Sequence, residues 1–306
     1  MAIQEELKVT LIDSSKTLEK TIATAYKTCY SPLKAEEIYD EITKEEGGKF
    51  INKILNQTNN KHVSPLEHSY FTFAIDGISR ITAQQLTRHR IASFSMQSQR
   101  YVDMGDFKYK IPKEIENIGY LKQHYIKDMD KINKMYSLYS KELLLNYVHE
   151  YGFVKIKSEE YDNIYATIKK IILFLADEKK ELNENEINKI INESDNNEKD
   201  KKDFRKYIAS MHKKAIENAR YILPGAASSS LVYSTNAASL LHFLALRDCK
   251  RAQDEIREIA KQIIEILKTE SPLIYNRAGA GCKFGACPEG KFTCGVPYNK
   301  KELVEL

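Results

Sequence analysis

Arginine is scarce in this chain, 10 residues against 37 lysines, and four of the ten lie close together: Arg80, Arg88, Arg90 and Arg100. Between Gly77 and Val102 there is no Lys, Asp or Glu. A local change from lysine to arginine, with no carboxylate in the same window, is what an anion site needs. The guanidinium is a planar fork that holds phosphate or carboxylate oxygens at two points, whereas lysine is a mobile point charge. In an extended segment Ser98 and Arg100 project to one face, which sets a hydroxyl beside a guanidinium. A second low-charge segment follows much later: from Ala219 to Leu246 the only formal charge is Arg220, and Arg247 closes it. Asn236 and Arg247 are about three helical turns apart and so share one face of a helix. His242 lies on another flank, where it reads either as a packed core histidine or as a ligand-facing one. Such donors grip phosphates and the polar edge of a heterocyclic ring. They can also stabilise negative charge that develops during a reaction.

Other chemistries are missing. There is no GxGxxG after a strand, no GxxxxGK[ST] and no GxSxG, so the usual dinucleotide, P-loop and serine-nucleophile devices are absent. Cys29 falls on the apolar stripe of Leu18, Ile22 and Ala25 and reads as core. His62 and His68 are separated by Pro65 at a spacing that is not usual for metal ligands, so no metal is expected there; Cys282, Cys287 and Cys294 form no CxxC pair and give only a weak zinc signal, with a structural zinc completed by a fourth ligand as the alternative to none. Hydrophobic content of 42%, charge of 29% and a net charge of +4 describe a globular protein, with too little positive charge to imply nucleic-acid binding by itself. The N-terminus lacks a signal-peptide pattern and no apolar run approaches a membrane span, so a cytoplasmic place is expected. The odd number of cysteines fits a reducing compartment.

The elements that must position these residues follow from periodicity. A strand is expected over residues 7–13 and a helix over 17–30. One or two helices follow over 34–55, broken near Gly47 and Gly48. A polar turn, 60–68, leads into a strand over 69–75, and Asp76-Gly77 turns the chain into a helix over 79–88. After Ala92 the pattern is strand-like. Helices are expected over 118–151, 161–175 and 208–221. In 177–206, 18 of 30 residues are charged, which reads as a surface insertion or helical hairpin. A short strand at 231–233 precedes one long helix over 236–268.

Arg88-His89-Arg90, seven residues, Ser98, then Arg100-Tyr101 resembles the signature of the flavin-dependent thymidylate synthases. In order along the chain the resemblance is reinforced by His62-x-Ser64-Pro65-Leu66-Glu67-His68, by Gln85 and by Arg220-Tyr221-Ile222-Leu223-Pro224. Asn236-Ala237-Ala238-Ser239-Leu240, His242 to Arg247, and Ala252-Gln253-x-Glu255-Ile256-Arg257 continue it. It covers roughly residues 7–103 and 207–268. The resemblance implies an α+β fold, an antiparallel sheet packed with long helices, here carrying a mostly helical charged insertion. It implies one catalytic domain over 1–306, with the insertion at 104–206 and a cysteine-containing tail at 269–306. It further implies a homotetramer with active sites shared between subunits, and methylation of dUMP to dTMP with 5,10-methylenetetrahydrofolate, FAD and NADPH and no cysteine nucleophile. His62, Ser64, Arg88, His89, Arg90, Asn236 and His242 match FAD-contacting positions. Gln85, Arg88, Ser98, Arg100, Arg220 and Arg247 match dUMP-contacting ones, with Arg247 catalytic, facing the uracil ring. The chain departs from the family at Ser95-Met96, where many members have Asn-Glu, and at Ala238, where some have Arg. Its 104–206 segment also looks longer than the usual connection. The alternative reading is an RNA-binding protein that uses the arginine stretch as its patch, with Phe94 and Tyr101 for stacking.

Overall fold

The computed structural model describes residues 3–56, 63–156, 162–177 and 182–298. In chain order the elements are β1 (Ile3–Gln4), β2 (Lys8–Ser14), α1 (Leu18–Thr28), α2 (Ala35–Glu41), α3 (Lys44–Asn56), β3 (Tyr70–Ser79), α4 (Arg80–Leu86), β4 (Ala92–Met96), β5 (Lys108–Tyr109) and α5 (Lys113–Glu116). Then come α6 (Gly119–Ile156), α7 (Asp162–Ala176), α8 (Glu184–Asn192), α9 (Glu198–Ala219), β6 (Ser228–Asn236), α10 (Ala237–Arg247), α11 (Asp254–Glu270) and α12 (Pro272–Tyr275). A 3-10 turn at Ser64–His68 precedes β3, and another at Arg220–Ile222 follows α9. The fold class is α+β. The chain divides into two compact units: residues 1–4, 97–111 and 115–227 form one, and residues 5–96, 112–114 and 228–306 form the other. The first unit is wider than the 104–206 segment marked by composition, because α9 runs unbroken from Glu198 to Ala219.

The second unit is built on a four-stranded antiparallel sheet in the order β2-β3-β6-β4. Alternation sends Phe71, Phe73 and Ile75 of β3 and Leu231 and Tyr233 of β6 into one core with Leu240, Phe243 and Leu244 of α10 and Ile256, Ile259 and Ile263 of α11. Tyr233 stacks on Phe94 from the neighbouring strand, ring centroids 5.2 Å apart. The opposite face carries Thr10, Thr72, Ala74, Val232, Ser234, Ser93 and Ser95. Thr10, Ser93, Ser95 and Val232 are exposed, and Lys8 and Asp13 of β2 and Asp76 of β3 add exposed charges to the same face.

Two glycine readings change. Gly47 does not break a helix. It lies inside α3 because a Cβ there would sit 2.6 Å from the carbonyl oxygen of Glu19, so it is a close-approach site between α3 and α1. Gly77 does not end the strand. β3 continues to Ser79 through an irregularity between Ile75 and Ile78, with Gly77 at a φ of 70°. The expected long helix over 236–268 is two helices, broken at residues 248–253 between α10 and α11. The short strand at 231–233 is the nine-residue β6.

In the first unit, α6 serves two cores in succession, which is why no single apolar stripe marks its length. Met129 and Tyr136 pack with Met104, Phe107, Tyr109 and Ile111, while Leu144 and Val148 pack with α7, α8 and α9. No helix among the described residues is long and apolar enough to cross a membrane.

Candidate active site

Helix α4 is fixed at its start by one carboxylate from α11. Glu255 accepts hydrogen bonds from the Ser79 backbone N–H and hydroxyl, both at 2.6 Å, and from the Thr82 hydroxyl at 2.7 Å. Ser79 also caps the helix by accepting from the Thr82 N–H. At the far end, Gln85 donates to Gln253 at 3.0 Å. Past the last turn come Arg88, His89 and Arg90, where the negative end of the helix favours cations.

These three residues line an open pocket of about 420 Å³. Ala238, Ser239 and His242 line it from α10, Tyr233 and Thr235 from β6, and Glu67 from the turn before β3. Asn236 is the N-cap of α10, its side-chain oxygen accepting from the Ser239 N–H at 2.8 Å. The first turn of an eleven-residue helix therefore opens toward the pocket, with backbone N–H groups and the positive end of the dipole. His89 accepts at Nε2 from the Arg247 Nε, 3.0 Å away, and its ring meets Phe243 edge-on at 5.0 Å. Burial, the adjacent Arg247 charge and then His242 push the His89 pKa from 6.5 down to about 4. The imidazole is thus neutral near pH 7, its proton on Nδ1, the only tautomer that can accept from Arg247.

A pH effect follows. The unfolded chain takes up a proton on this histidine below about pH 6.5, whereas the folded chain resists protonation until about pH 4. The stability supplied by neutral His89 is therefore complete above that window and is lost as pH falls through it. Denaturant midpoints measured from pH 7 to pH 4 should fall more steeply for the wild-type chain than for His89→Gln. Equal slopes would contradict the assignment.

The structure thus gathers Arg88, His89, Arg90, Asn236, His242 and Arg247 about one pocket, with Gln85 at the end of α4 and Ser64 exposed at the start of the turn that carries Glu67. His62 lies outside the described residues. Ser98, Arg100 and Arg220 belong to the other compact unit. There the expected extended grip is absent. Residues 99–101 form a turn in which the Ser98 hydroxyl accepts the Arg100 N–H at 3.2 Å. The Arg100 guanidinium pairs with Glu217 of α9 at 2.6 Å, so the window without acids in sequence has one in space. Arg220 heads the turn directly after α9. Met96, where many family members have Glu, accepts a contact from the Arg80 guanidinium through sulfur at 3.1 Å.

Cys29 is exposed at the end of α1 rather than packed in the core, because it is the C-cap residue, one step past the helix end and beyond the buried Leu18, Ile22 and Ala23. Cys282, Cys287 and Cys294 are free thiols, and the described residues contain no cluster of His, Cys, Asp or Glu placed to hold a metal ion. Sequence reasoning missed Glu255 and Gln253 as positioning groups. Both stand in the Gln253-x-Glu255 run, but nothing local shows that they reach back to α4.

A sequence model of the family described as thymidylate synthase complementing protein matches residues 10–273. A flavin-dependent thymidylate synthase from Clostridium tetani is 33% identical over 297 residues, spanning 97% of this chain and 96% of that one. The chain belongs to the flavin-dependent thymidylate synthase family. A second relative of the same description, from Geobacter sulfurreducens, is 29% identical over 299 residues, 97% of each chain. A match of nearly equal length at both ends means that the long 104–206 connection is not peculiar to this member of the family. Among solved structures, a UMP/dUMP methylase PolB from Streptomyces cacaoi, bound with 5-Br dUMP, superposes with a TM-score of 0.56 at 18% identity, over 90% of this chain and 96% of that one. That likeness is one of fold.

Proposed function

We propose that the chain reductively methylates dUMP to dTMP, with 5,10-methylenetetrahydrofolate as carbon donor and NADPH as reductant by way of FAD. The observation that carries this reading is the pocket. Two guanidiniums, from Arg88 and Arg90, and the opening turn of α10 suit a pyrophosphate, while the exposed Ile91 offers an apolar contact for a ring system. That donor set fits FAD, which His62, Ser64, Arg88, His89, Arg90, Asn236 and His242 would hold. Bound FAD supplies the hydride. Gln85, Arg88, Ser98, Arg100, Arg220 and Arg247 would hold dUMP. Arg247 would balance negative charge on the uracil N3 edge, which makes C5 nucleophilic without a thiol. No cysteine is among the residues lining the pocket.

Neutral His89 keeps the Arg247 guanidinium in place without neutralising it. A carboxylate in that position would cancel the charge the reaction needs. The pocket is open, and the sheet face turned away from the core leaves Thr10, Ser93, Ser95 and Val232 exposed. Both features support a homotetramer with shared sites, which sedimentation equilibrium checks directly.

The test is release of tritium from 5-labelled dUMP by yellow, FAD-loaded protein in the presence of NADPH and methylenetetrahydrofolate. Colourless protein that takes up no FAD and releases no tritium would refute the reading. Ala238 stands in the pocket where some relatives have Arg. Ala238→Arg adds a charge-assisted contact beside the α10 N-terminus, and FAD should bind about tenfold more tightly by equilibrium titration. Unchanged affinity would show that no phosphate lies there.

A further inference from the structure

The chain beyond residue 273 lies outside the span of the family model. The structure nonetheless ties it to the residue next to Arg247. Asp248, the C-cap of α10, is fully buried. Its Oδ2 accepts from the Ala280 N–H at 2.8 Å and from the Lys283 ammonium at 3.0 Å. The Lys283 side chain is itself 7% exposed. The Tyr298 hydroxyl reaches both the Asp248 Oδ1, at 3.2 Å, and its backbone carbonyl, at 3.0 Å. The Lys283 ammonium also lies 4.7 Å from the Tyr298 ring centroid. Gly279, at a φ of 125°, lets the chain pass: a Cβ there would be 2.8 Å from the Asp248 carboxylate.

A buried carboxylate with three partners is a costly arrangement to assemble. Removing one partner from such a buried pair leaves the other charge uncompensated. Here the arrangement closes on the C-cap of α10, and the last residue of the helix, Arg247, is the one that reaches His89. A surface salt bridge or a plain glycine C-cap would end the helix at much lower cost. The helix end is also where α10 breaks from α11, so without the tail residues 248–253 would have to hold Arg247 in place by themselves.

We propose that Lys283 and Tyr298, through Asp248, position Arg247 against His89, making the C-terminal segment a working part of the active site. Lys283 and Tyr298 are positioning residues and touch no substrate. The inference rests on the proposed function only for its catalytic consequence.

Two full-length variants test it: Tyr298→Phe, which removes one hydroxyl, and the paired Asp248→Asn with Lys283→Met, which removes both buried charges together. Two readouts are taken on each. The first is the titration midpoint of His89, followed by the imidazole carbon-bound protons in NMR and assigned with His89→Gln. It needs no turnover, and it responds to Arg247 because that charge helps to hold the midpoint low. The second is tritium release from labelled dUMP. The expected result is a His89 midpoint displaced upward toward the ordinary imidazole value, with kcat reduced about tenfold and the KM for dUMP held within about threefold. Wild-type turnover, or reduced turnover with an unmoved His89 midpoint, overturns the proposal. A wild-type chain that releases no tritium while the variants still move the midpoint would refute the function and leave the positioning role standing.

Discussion

Arg247→Ala should lower tritium release from labelled dUMP by about a thousandfold while the assembly and its FAD remain. Loss of a preorganised donor at developing charge costs about a hundred- to a thousandfold. Arg247 would be the charge that makes C5 reactive, so the upper end applies. The variant should also change His89. With the guanidinium gone, one of the causes holding its pKa near 4 disappears, and the midpoint should rise. Wild-type turnover in Arg247→Ala would sink the assignment. Reduced turnover with loss of FAD would instead move Arg247 from the reaction to cofactor binding.

The second large effect concerns the scaffold. Gly77→Ala should destabilise the chain by about 2–4 kcal/mol, read as a lower denaturant midpoint with an unchanged slope. Two causes act together at this position. The backbone has a φ of 70°, which a side chain resists, and a Cβ there would lie 2.0 Å from the Glu6 carbonyl oxygen. That contact is with backbone, so no rotamer relieves it. Gly119→Ala is the matched control: it meets nothing within 4 Å at the start of α6, and alanine there should be neutral or slightly stabilising.

Much of the site was legible because it is made of rare residues in charge-poor windows. Arg88, His89, Arg90 and Arg247 stand out in a lysine-rich chain, and the structure sets all four at or beside one pocket. Ser98 and Arg100 show the limit. Periodicity cannot see that a serine hydroxyl will close a turn on its own neighbourhood, or that Glu217, more than a hundred residues later, will pair with Arg100. The glycine pairs show the same limit. Gly47 reads as a helix breaker by propensity, but the need for close backbone approach to α1 outweighs that cost. The break between α10 and α11 was hidden because residues 248–253 contain neither glycine nor proline to mark it. The partners of Asp248 lie up to 50 residues away, so its burial leaves no local mark.

The Glu255 clamp has a consequence for how this chain can change length. Ser79 and Glu255 are 176 residues apart, yet three hydrogen bonds close that loop at the α4–α11 junction. Closing a loop costs entropy that grows only with the logarithm of its length, about 0.6 kcal/mol for each doubling. Once the clamp is made, segments within the loop can be lengthened or trimmed at little thermodynamic expense to the residues it holds. The helical stretch between Met104 and Lys206 sits inside that closed loop, and the arginines that follow α4 can stay in register while it varies.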